Sequence, residues 1–199
     1  FGHEGWRTFA PPMKILEHAE EIRRRLLMAM EQAEQTPNPE ARQFLQTVVI
    51  VGAGPSVCEM AGAVSELMRW ALNNAFKQLD PHKTRIVLVD PGDRVLKAMP
   101  EELSEAALKA LERDGIEVLP QGRVQTMRPG EVLISSPHGD VRVQAATVIW
   151  TAGVKASHLG QKLNEATGCE VDRGGRVIVN QDFSIPSHPE IRIAGDLCS

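Results

Sequence analysis

Hydrophobic positions recur along the chain with two different periods, which together predict a mixed α/β protein. Apolar residues from Met13 to Glu34 return every three or four positions, the spacing of an amphipathic helix. The β-branched runs Thr47–Val51 and Arg85–Val89 predict buried strands, and a helical pattern lies between them. That helix should begin near Pro55 and continue through the stretch Met68–Pro81. The order strand, helix, strand predicts a parallel pair joined by a crossover helix.

The rest of the pattern predicts a second crossover unit, an antiparallel meander and a returning buried strand. A helix is expected at Glu102–Arg113, and Thr36–Pro39 is interpreted as a helix stop and a linker. The expected strands are Ile116–Leu119, Val124–Met127, Glu131–Ser135, Val141–Val143, Thr147–Trp150, Arg176–Val179 and Ile191–Ala194. These elements predict the α/β fold class, with a Rossmann-like doubly wound sheet and a small antiparallel meander over one face.

Two glycines, Gly52 and Gly54, interrupt the apolar pattern directly after the first strand. In a strand–turn–helix unit the first glycine permits the tight turn, and the second lets the backbone approach a pyrophosphate. Pro55 and Ser56 then begin a helix whose unpaired N–H groups can hold phosphate oxygens. Asp90, at the end of the second strand, can accept hydrogen bonds from ribose hydroxyls. This pattern predicts a dinucleotide site; the alternative is an ordinary β-α-β turn that binds nothing.

Two residues modify the dinucleotide prediction. Val57 stands where the full fingerprint has a third glycine, so its side chain should push the helix outward or force local repacking. Asp90 should repel a 2′-phosphate, which favours NADH over NADPH, although the nearby Arg94 opposes this preference. In the alternative interpretation, Asp90 only starts the turn Asp90–Asp93.

Composition narrows the function classes. The 199 residues are 42% hydrophobic, enough for one good core, and carry a net charge of −4 with both signs interspersed. No basic block indicates a nucleic-acid surface. The three cysteines, Cys58, Cys169 and Cys198, form no Cys-x-x-Cys motif, so neither a redox-active dithiol nor a disulfide scaffold is expected, and a reduced, cytoplasmic setting is favoured. The six histidines lack ligand spacing, so no metal site is expected.

Several motifs together carry a resemblance to a known family. They are Gly52–Ser56, Glu59–Gly62, the extension Leu67–Pro81, Asp90, Val148–Val154 and Ala194–Asp196, with Phe1–Gly2, Ala10–Lys14 and Ala19–Arg25 near the N-terminus. With them the chain resembles the flavin-dependent pyridine nucleotide oxidoreductases. Within that superfamily it is most similar to the type II NADH:quinone dehydrogenases, which do not pump protons. The resemblance covers almost the whole chain.

The resemblance implies a domain map and two cofactors, FAD and NADH. Residues 46–151 would be the NAD(H)-binding domain, with 1–45 as a linker and helix from the FAD domain and 152–199 as its returning part. The family's first FAD-binding glycine motif and its C-terminal membrane-binding helices are absent from these residues, so we expect a fragment that is inactive alone. The full-length enzyme would pass electrons to a membrane quinone, lie peripherally on the cytoplasmic face and be able to form a homodimer.

The resemblance also implies roles for individual residues. Glu59 would lie close to the nicotinamide and quinone sites and take part in catalysis; the alternative is a surface acid favoured by the helix dipole. The run Thr151-Ala152-Gly153, at the carboxyl end of a buried strand, would line the cofactor site or form a plain turn. Gly195 and Asp196 would contact the FAD ribitol; in the alternative, Asp196 is a solvated acid.

Two other functions stay open on the sequence alone. The chain could belong to another flavoprotein reductase of the superfamily, such as a ferredoxin-type reductase or a sulfide:quinone reductase. The second of these needs reactive cysteines, which Cys58 and Cys198 do not obviously supply. The chain could also be a degenerate nucleotide-binding module without activity, in which Val57 has disabled the phosphate turn.

Overall fold

The computed structural model describes residues 4–151 and 156–199, in two compact units, Phe1–Ala152 and Gly153–Ser199. The helices of the N-terminal unit are α1 (Leu16–Gln35), α2 (Pro39–Leu45), α3 (Pro55–Asn74) and α4 (Glu101–Arg113), with short 3-10 helices at Glu4–Thr8 and Pro81–Lys83. Its strands are β1 (Thr47–Val51), β2 (Arg85–Asp90), β3 (Ile116–Pro120), β4 (Arg123–Arg128), β5 (Glu131–Ser136), β6 (Gly139–Gln144) and β7 (Thr147–Trp150).

Strands β3, β2, β1 and β7, in that order, form a parallel sheet. The central strand β1 is buried along its whole length, and its β-branched residues suit a strand that is covered on both faces. Strands β4, β5 and β6 form the predicted antiparallel meander. The structure therefore confirms the α/β class, with its Rossmann-like sheet and small meander.

Each face of the parallel sheet has its own apolar layer, because successive side chains of a strand point to opposite faces. One face, with Ile50 and Leu88, packs against α1, α3 and α4. The other face, with Val49 and Val87, packs against the meander. Fully burying one such aliphatic side chain contributes about 1.5–3 kcal/mol to folding. The two layers thus fix the positions of the strand ends, where the predicted site residues lie.

The segment Thr36–Pro39, predicted as a linker, leads at once into α2, a helix that the sequence analysis missed. The Asn38 side chain caps α2 by accepting hydrogen bonds from the backbone N–H groups of Glu40 (2.8 Å) and Ala41 (3.2 Å). Pro39 occupies the first helical position, where its fixed φ angle and its missing N–H are favourable. The Asn-Pro pair therefore starts a helix here.

Helix α3 confirms the predicted extension only as far as Asn74. Further along, the Glu34 carboxylate accepts hydrogen bonds from the backbone N–H groups of Lys77 (3.0 Å) and Gln78 (2.9 Å). These N–H groups are therefore paired with a side chain of α1. Leu79 still packs in the same apolar layer as α3, although it lies outside any helix. The prediction of a helix up to Pro81 is wrong over this last part.

The C-terminal unit contains α5 (Leu159–Thr167), β8 (Ser184–Ile185), β9 (His188–Arg192) and a 3-10 helix at Gly195–Leu197. The predicted strand Arg176–Val179 is wrong, since Val177 forms only isolated bridges to neighbouring segments. The predicted strand Ile191–Ala194 overlaps β9 but is placed too late in the chain. Helix α5 was not predicted at all.

The Asp172 side chain explains why the segment before Val177 does not extend into a strand. Its Oδ1 accepts hydrogen bonds from the backbone N–H groups of Gly174 (2.7 Å) and Arg176 (2.9 Å). A side chain that binds its own nearby backbone competes with the hydrogen-bond ladder of a sheet.

Within the described residues, no helix combines the length and the hydropathy that crossing a membrane requires.

Candidate dinucleotide-binding site

Three of the predicted site residues meet at the carboxyl edge of the parallel sheet. Gly52 follows β1, and its N–H donates a hydrogen bond to the carbonyl oxygen of Val89 in β2 (2.7 Å). Thr151 follows β7, and its backbone N–H (3.0 Å) and its Oγ1 (2.6 Å) both donate to the carbonyl oxygen of Val51. Asp90 ends β2 beside them. Ligands of open α/β sheets bind at this edge.

The two glycines of the turn serve different physical purposes. Gly52 has a φ angle of 121°, a conformation that residues with a side chain rarely adopt. Gly54 has an ordinary φ angle of −74° and caps the N-terminus of α3. A Cβ atom placed on Gly54 would have no heavy atom of the described residues within 4 Å. Gly52 is therefore required by the turn itself, whereas Gly54 leaves an open space in front of the helix.

The N-terminal turn of α3 is suited to binding an anion. The Gly54 carbonyl oxygen accepts the N–H groups of Val57 and Cys58, both at 3.0 Å. The N–H of Ser56 has no acceptor among the described residues, and Pro55 and Ser56 are exposed. A free N–H at the positive end of a 20-residue helix is suited to a phosphate oxygen.

Asp90 starts a turn and also faces the glycine turn. Its Oδ1 accepts a hydrogen bond from the Gly92 N–H (2.7 Å), and its carbonyl oxygen accepts one from the Gly122 N–H (2.9 Å). Its Oδ2 has no hydrogen-bond partner in residues 4–151 or 156–199, so one carboxylate oxygen is available to a ligand. The two interpretations of Asp90, as a turn residue and as a ribose acceptor, are therefore compatible.

The Cys58 thiol lies in the field of this carboxylate. Burial raises the pKa of Cys58, and the negative charges of Asp90 and Glu59 raise it further. The Cys58 Sγ lies 3.7 Å from the Ala53 carbonyl oxygen. A thiol with a raised pKa stays protonated at neutral pH and is a poor nucleophile. Cys58 is consequently ill-suited to the thiolate chemistry of a sulfide:quinone reductase.

Three further predicted residues are exposed, namely Glu59, Gly195 and Asp196. Glu59 is exposed on α3, one turn after Pro55. Ala152 and Gly153 lie outside the described residues. In the C-terminal unit, Gly195 has a φ angle of 76° and Asp196 is exposed in the 3-10 helix. The described residues contain no group of three or more potential metal ligands.

A comparison with known families decides the assignment. The profile of the pyridine nucleotide-disulphide oxidoreductases matches residues 5–199. The chain belongs to this family. The resemblance drawn from the glycine turn, the strand-end acid and the flanking motifs is thereby confirmed.

Relatives within the pyridine nucleotide-disulphide oxidoreductase family include NADH dehydrogenases. The type II NADH:quinone oxidoreductase Ndh of Mycobacterium tuberculosis is 39% identical over 200 residues, covering 100% of this chain and 43% of that relative. A mitochondrial internal alternative NAD(P)H-ubiquinone oxidoreductase of Arabidopsis thaliana is 25% identical over 201 residues, covering 100% of this chain and 37% of the relative. The chain thus spans less than half the length of these relatives.

A solved structure shares the fold. NDH2 from Plasmodium falciparum, determined in complex with NADH, superposes with a TM-score of 0.81 at 20% identity, covering 98% of this chain and 40% of that one. The topology of this solved structure thus extends over nearly all of the present chain. The match supports the fold, and the roles of residues in this chain rest on its own geometry.

Sequence reasoning missed the loop between β2 and α4, Pro91–Pro100, which is joined to the glycine turn. The Leu96 N–H donates a hydrogen bond to the Ala53 carbonyl oxygen (2.9 Å), and the Gln121 N–H donates one to the Gly92 carbonyl oxygen (2.7 Å). Leu96 has a φ angle of 50°, which is uncommon for a leucine. The sequence does not indicate this conformation, because turn positions with a positive φ angle usually carry glycine or asparagine and this one carries leucine.

Val57, the residue that departs from the family fingerprint, points into the protein core. Its side chain is 8% exposed and belongs to the apolar layer between the sheet and the helices. We expect Val57→Gly to destabilise the fold by about 2–4 kcal/mol, through lost burial and the low helix propensity of glycine. Thermal unfolding of the two proteins measures this loss. A Val57→Ala variant separates the loss of volume from the effect of glycine on the backbone.

The same Val57→Gly variant tests whether the valine holds α3 away from a phosphate. The sequence analysis predicts that glycine lets the helix close on the pyrophosphate, so NADH should bind more tightly although the fold is weaker. Titration calorimetry below the melting temperature of both proteins gives the two affinities. Equal or weaker binding by the variant would show that the valine is already accommodated.

Proposed function

We propose that this chain is the NADH-binding portion of an FAD-dependent NADH dehydrogenase that passes electrons to a membrane quinone without pumping protons. One observation carries the proposal: an open space at Gly54 and an available Asp90 carboxylate oxygen flank the start of α3 at the carboxyl edge of the sheet. The 39% identity to a mycobacterial type II NADH:quinone oxidoreductase supports the same conclusion. That relative is more than twice as long as this chain, and we infer that the complete activity would require more protein than these 199 residues.

The residues of the site fit the parts of NADH in order. Gly52 would set the tight turn, Gly54 and the N–H of Ser56 would hold the pyrophosphate, and the Asp90 carboxylate would accept the ribose hydroxyls. The run Thr151-Ala152-Gly153, which begins at the carboxyl end of β7, would line the cofactor site. Glu59, exposed on α3, would face the nicotinamide and quinone. The protein contributes orientation and the exclusion of water.

The chemistry itself belongs to the cofactors. Bound FAD would supply the redox chemistry, namely acceptance of a hydride from NADH and delivery of two electrons to an acceptor such as a quinone. Gly195 and Asp196 of this chain would contact the ribitol of FAD. On this proposal residues 46–151 are the NAD(H)-binding domain, with 1–45 and 152–199 as parts of a split FAD domain. The complete enzyme would lie peripherally on the cytoplasmic face of the membrane, function in respiratory electron transport and be able to form a homodimer.

Three competing functions make different demands on the chain. A sulfide:quinone reductase needs a reactive thiolate, and the raised pKa of Cys58 argues against that function. A ferredoxin-type reductase would keep the NADH site and differ only in the electron acceptor. A degenerate module would keep the fold and bind no nucleotide. We favour quinone as the acceptor because the relatives above are named quinone or ubiquinone oxidoreductases.

Titration of the purified chain with NADH tests the core of the proposal. Trp150 directly precedes Thr151 at the site edge, so bound NADH should quench tryptophan fluorescence by accepting its energy. We expect a saturable signal that is competed away by NAD. A signal that never saturates would identify a degenerate module. For the acceptor, the complete enzyme should reduce a soluble quinone with NADH faster than it reduces ferredoxin, and the reverse order would exclude our assignment.

We also expect the 199-residue chain to hold FAD poorly. It contains one glycine-rich phosphate turn, at Gly52–Gly54, and we assign that turn to NADH. After incubation with FAD and desalting, the protein should show little flavin absorbance relative to its absorbance at 280 nm. A protein that stays yellow with one flavin per chain would contradict both this expectation and the assignment of the turn.

A further inference from the structure

The loop Pro91–Pro100 is held in place by hydrogen bonds rather than by regular secondary structure. It is anchored to the glycine turn through Leu96 and Ala53 and to the end of β3 through Gly92 and Gln121, as described above. At its far end, the Ser104 hydroxyl in α4 donates a hydrogen bond to the Val95 carbonyl oxygen. These hydrogen bonds therefore hold the loop in one conformation, beginning directly after Asp90.

The Arg94 side chain joins two parts of this loop through hydrogen bonds. Its Nη1 donates a hydrogen bond to the Met99 carbonyl oxygen (3.1 Å), and its Nη2 donates one to the Lys97 carbonyl oxygen (3.2 Å). One planar guanidinium thus joins two carbonyl groups on either side of a bend. A lysine ammonium is a point charge on a flexible stem and does not reproduce this fork. The side chain is half-buried, in contrast to the exposed Lys97.

From the sequence alone, the positive charge of Arg94 is expected to attract a 2′-phosphate. In the structure, its outer nitrogens are already paired with backbone carbonyls. Lys97, the other cation of the loop, forms an ion pair with Asp93 (3.1 Å). The loop next to Asp90 therefore presents a hydrogen-bonded surface, and both of its cations are already paired within the loop.

We propose that Arg94 is a positioning residue for the adenosine half of NADH, acting through the loop rather than through contact with a phosphate. This inference rests on the function proposed above. The adenine ring is attached to the ribose that Asp90 would bind, so it must lie near the segment that follows Asp90. By joining the Lys97 and Met99 carbonyls, Arg94 fixes the bend of the loop that follows Leu96 and thereby shapes the surface that meets the base. On this proposal Asp90, and not Arg94, determines the preference for NADH over NADPH.

Three variants of the 199-residue chain separate this role from an electrostatic one. Arg94→Ala should weaken the binding of both NADH and AMP about five- to tenfold. Arg94→Lys retains the positive charge and should lose nearly as much, because lysine cannot join the two carbonyls. Lys97→Ala removes a positive charge from the same loop, keeps its carbonyl and should bind both ligands like the wild type. The ratio of the NADPH and NADH dissociation constants should stay within about twofold of wild type in all three.

The possible outcomes are distinct. Arg94→Lys binding like the wild type, or a selective loss of NADPH affinity in Arg94→Ala, would overturn the inference in favour of direct phosphate contact. A loss of affinity for nicotinamide mononucleotide equal to the loss for AMP would show a general structural defect and also overturn it. If the wild-type chain binds no NADH at all, the proposed function fails. If the wild type binds and Arg94→Ala binds equally well, only the role of Arg94 fails.

Discussion

Gly54→Ala should lower the affinity for NADH by at least about tenfold, roughly 1.4 kcal/mol of binding free energy, while leaving the fold nearly unchanged. The backbone of Gly54 has an ordinary φ angle, so alanine can adopt it without strain. The new methyl group would enter the open space in front of α3, and no described residue there would have to move. It would occupy the volume through which a pyrophosphate must approach the helix. Calorimetric titration with NADH measures the effect.

Gly62→Ala is the matched control, because Gly62 also lies in α3 and a Cβ atom there would likewise have no described heavy atom within 4 Å. It should raise stability by roughly 0.5–1 kcal/mol, since alanine is the better helix former, and should leave NADH binding unaltered. Alanine at the N-cap position of Gly54 should cost less than about 1 kcal/mol of stability. Unchanged NADH affinity in Gly54→Ala would mean that the dinucleotide does not approach this turn.

Asp90→Asn should reduce the affinity for NADH by about tenfold to a hundredfold and remove the preference for NADH over NADPH. Hydrogen bonds to a charged carboxylate contribute about 1.5–3 kcal/mol, and the same negative charge repels a 2′-phosphate. Asparagine keeps the Oδ1 atom that accepts the Gly92 N–H at 2.7 Å, so the turn should persist. Dissociation constants for both nucleotides, measured at one ionic strength, give the preference directly.

Asp90→Ala provides the comparison that separates charge from structure. It removes the negative charge and also the acceptor of the Gly92 N–H, so it should additionally lower the melting temperature. Similar nucleotide preferences in the two variants would assign selectivity to the charge. Wild-type protein that binds NADH and NADPH equally would remove Asp90 from the selectivity argument altogether.

The turn that begins the site could be predicted from local spacing, because its requirements are local. A β-branched run, a glycine with a positive φ angle and a helix start are all short-range properties. They place Gly52 and Asp90 correctly at strand ends and Gly54 at the start of α3. The thiol chemistry could not be predicted in the same way. The sequence shows only that Cys58 belongs to no Cys-x-x-Cys motif, whereas its raised pKa follows from burial and from an acid 32 positions away in the sequence.

The sequence by itself determined the class of the fold, the parallel crossover units, the meander and the residues of the glycine turn, because periodicity and glycine placement act over a few residues. Only the tertiary structure decided that Thr151 bonds to the end of β1, that Leu96 joins Ala53 and that Arg94 is bound to two carbonyls. It also decided that α3 stops at Asn74, where Glu34 of another helix binds the following backbone. These contacts join segments whose separation in the chain carries no periodic signal, so hydrogen-bond geometry in the folded protein selects them.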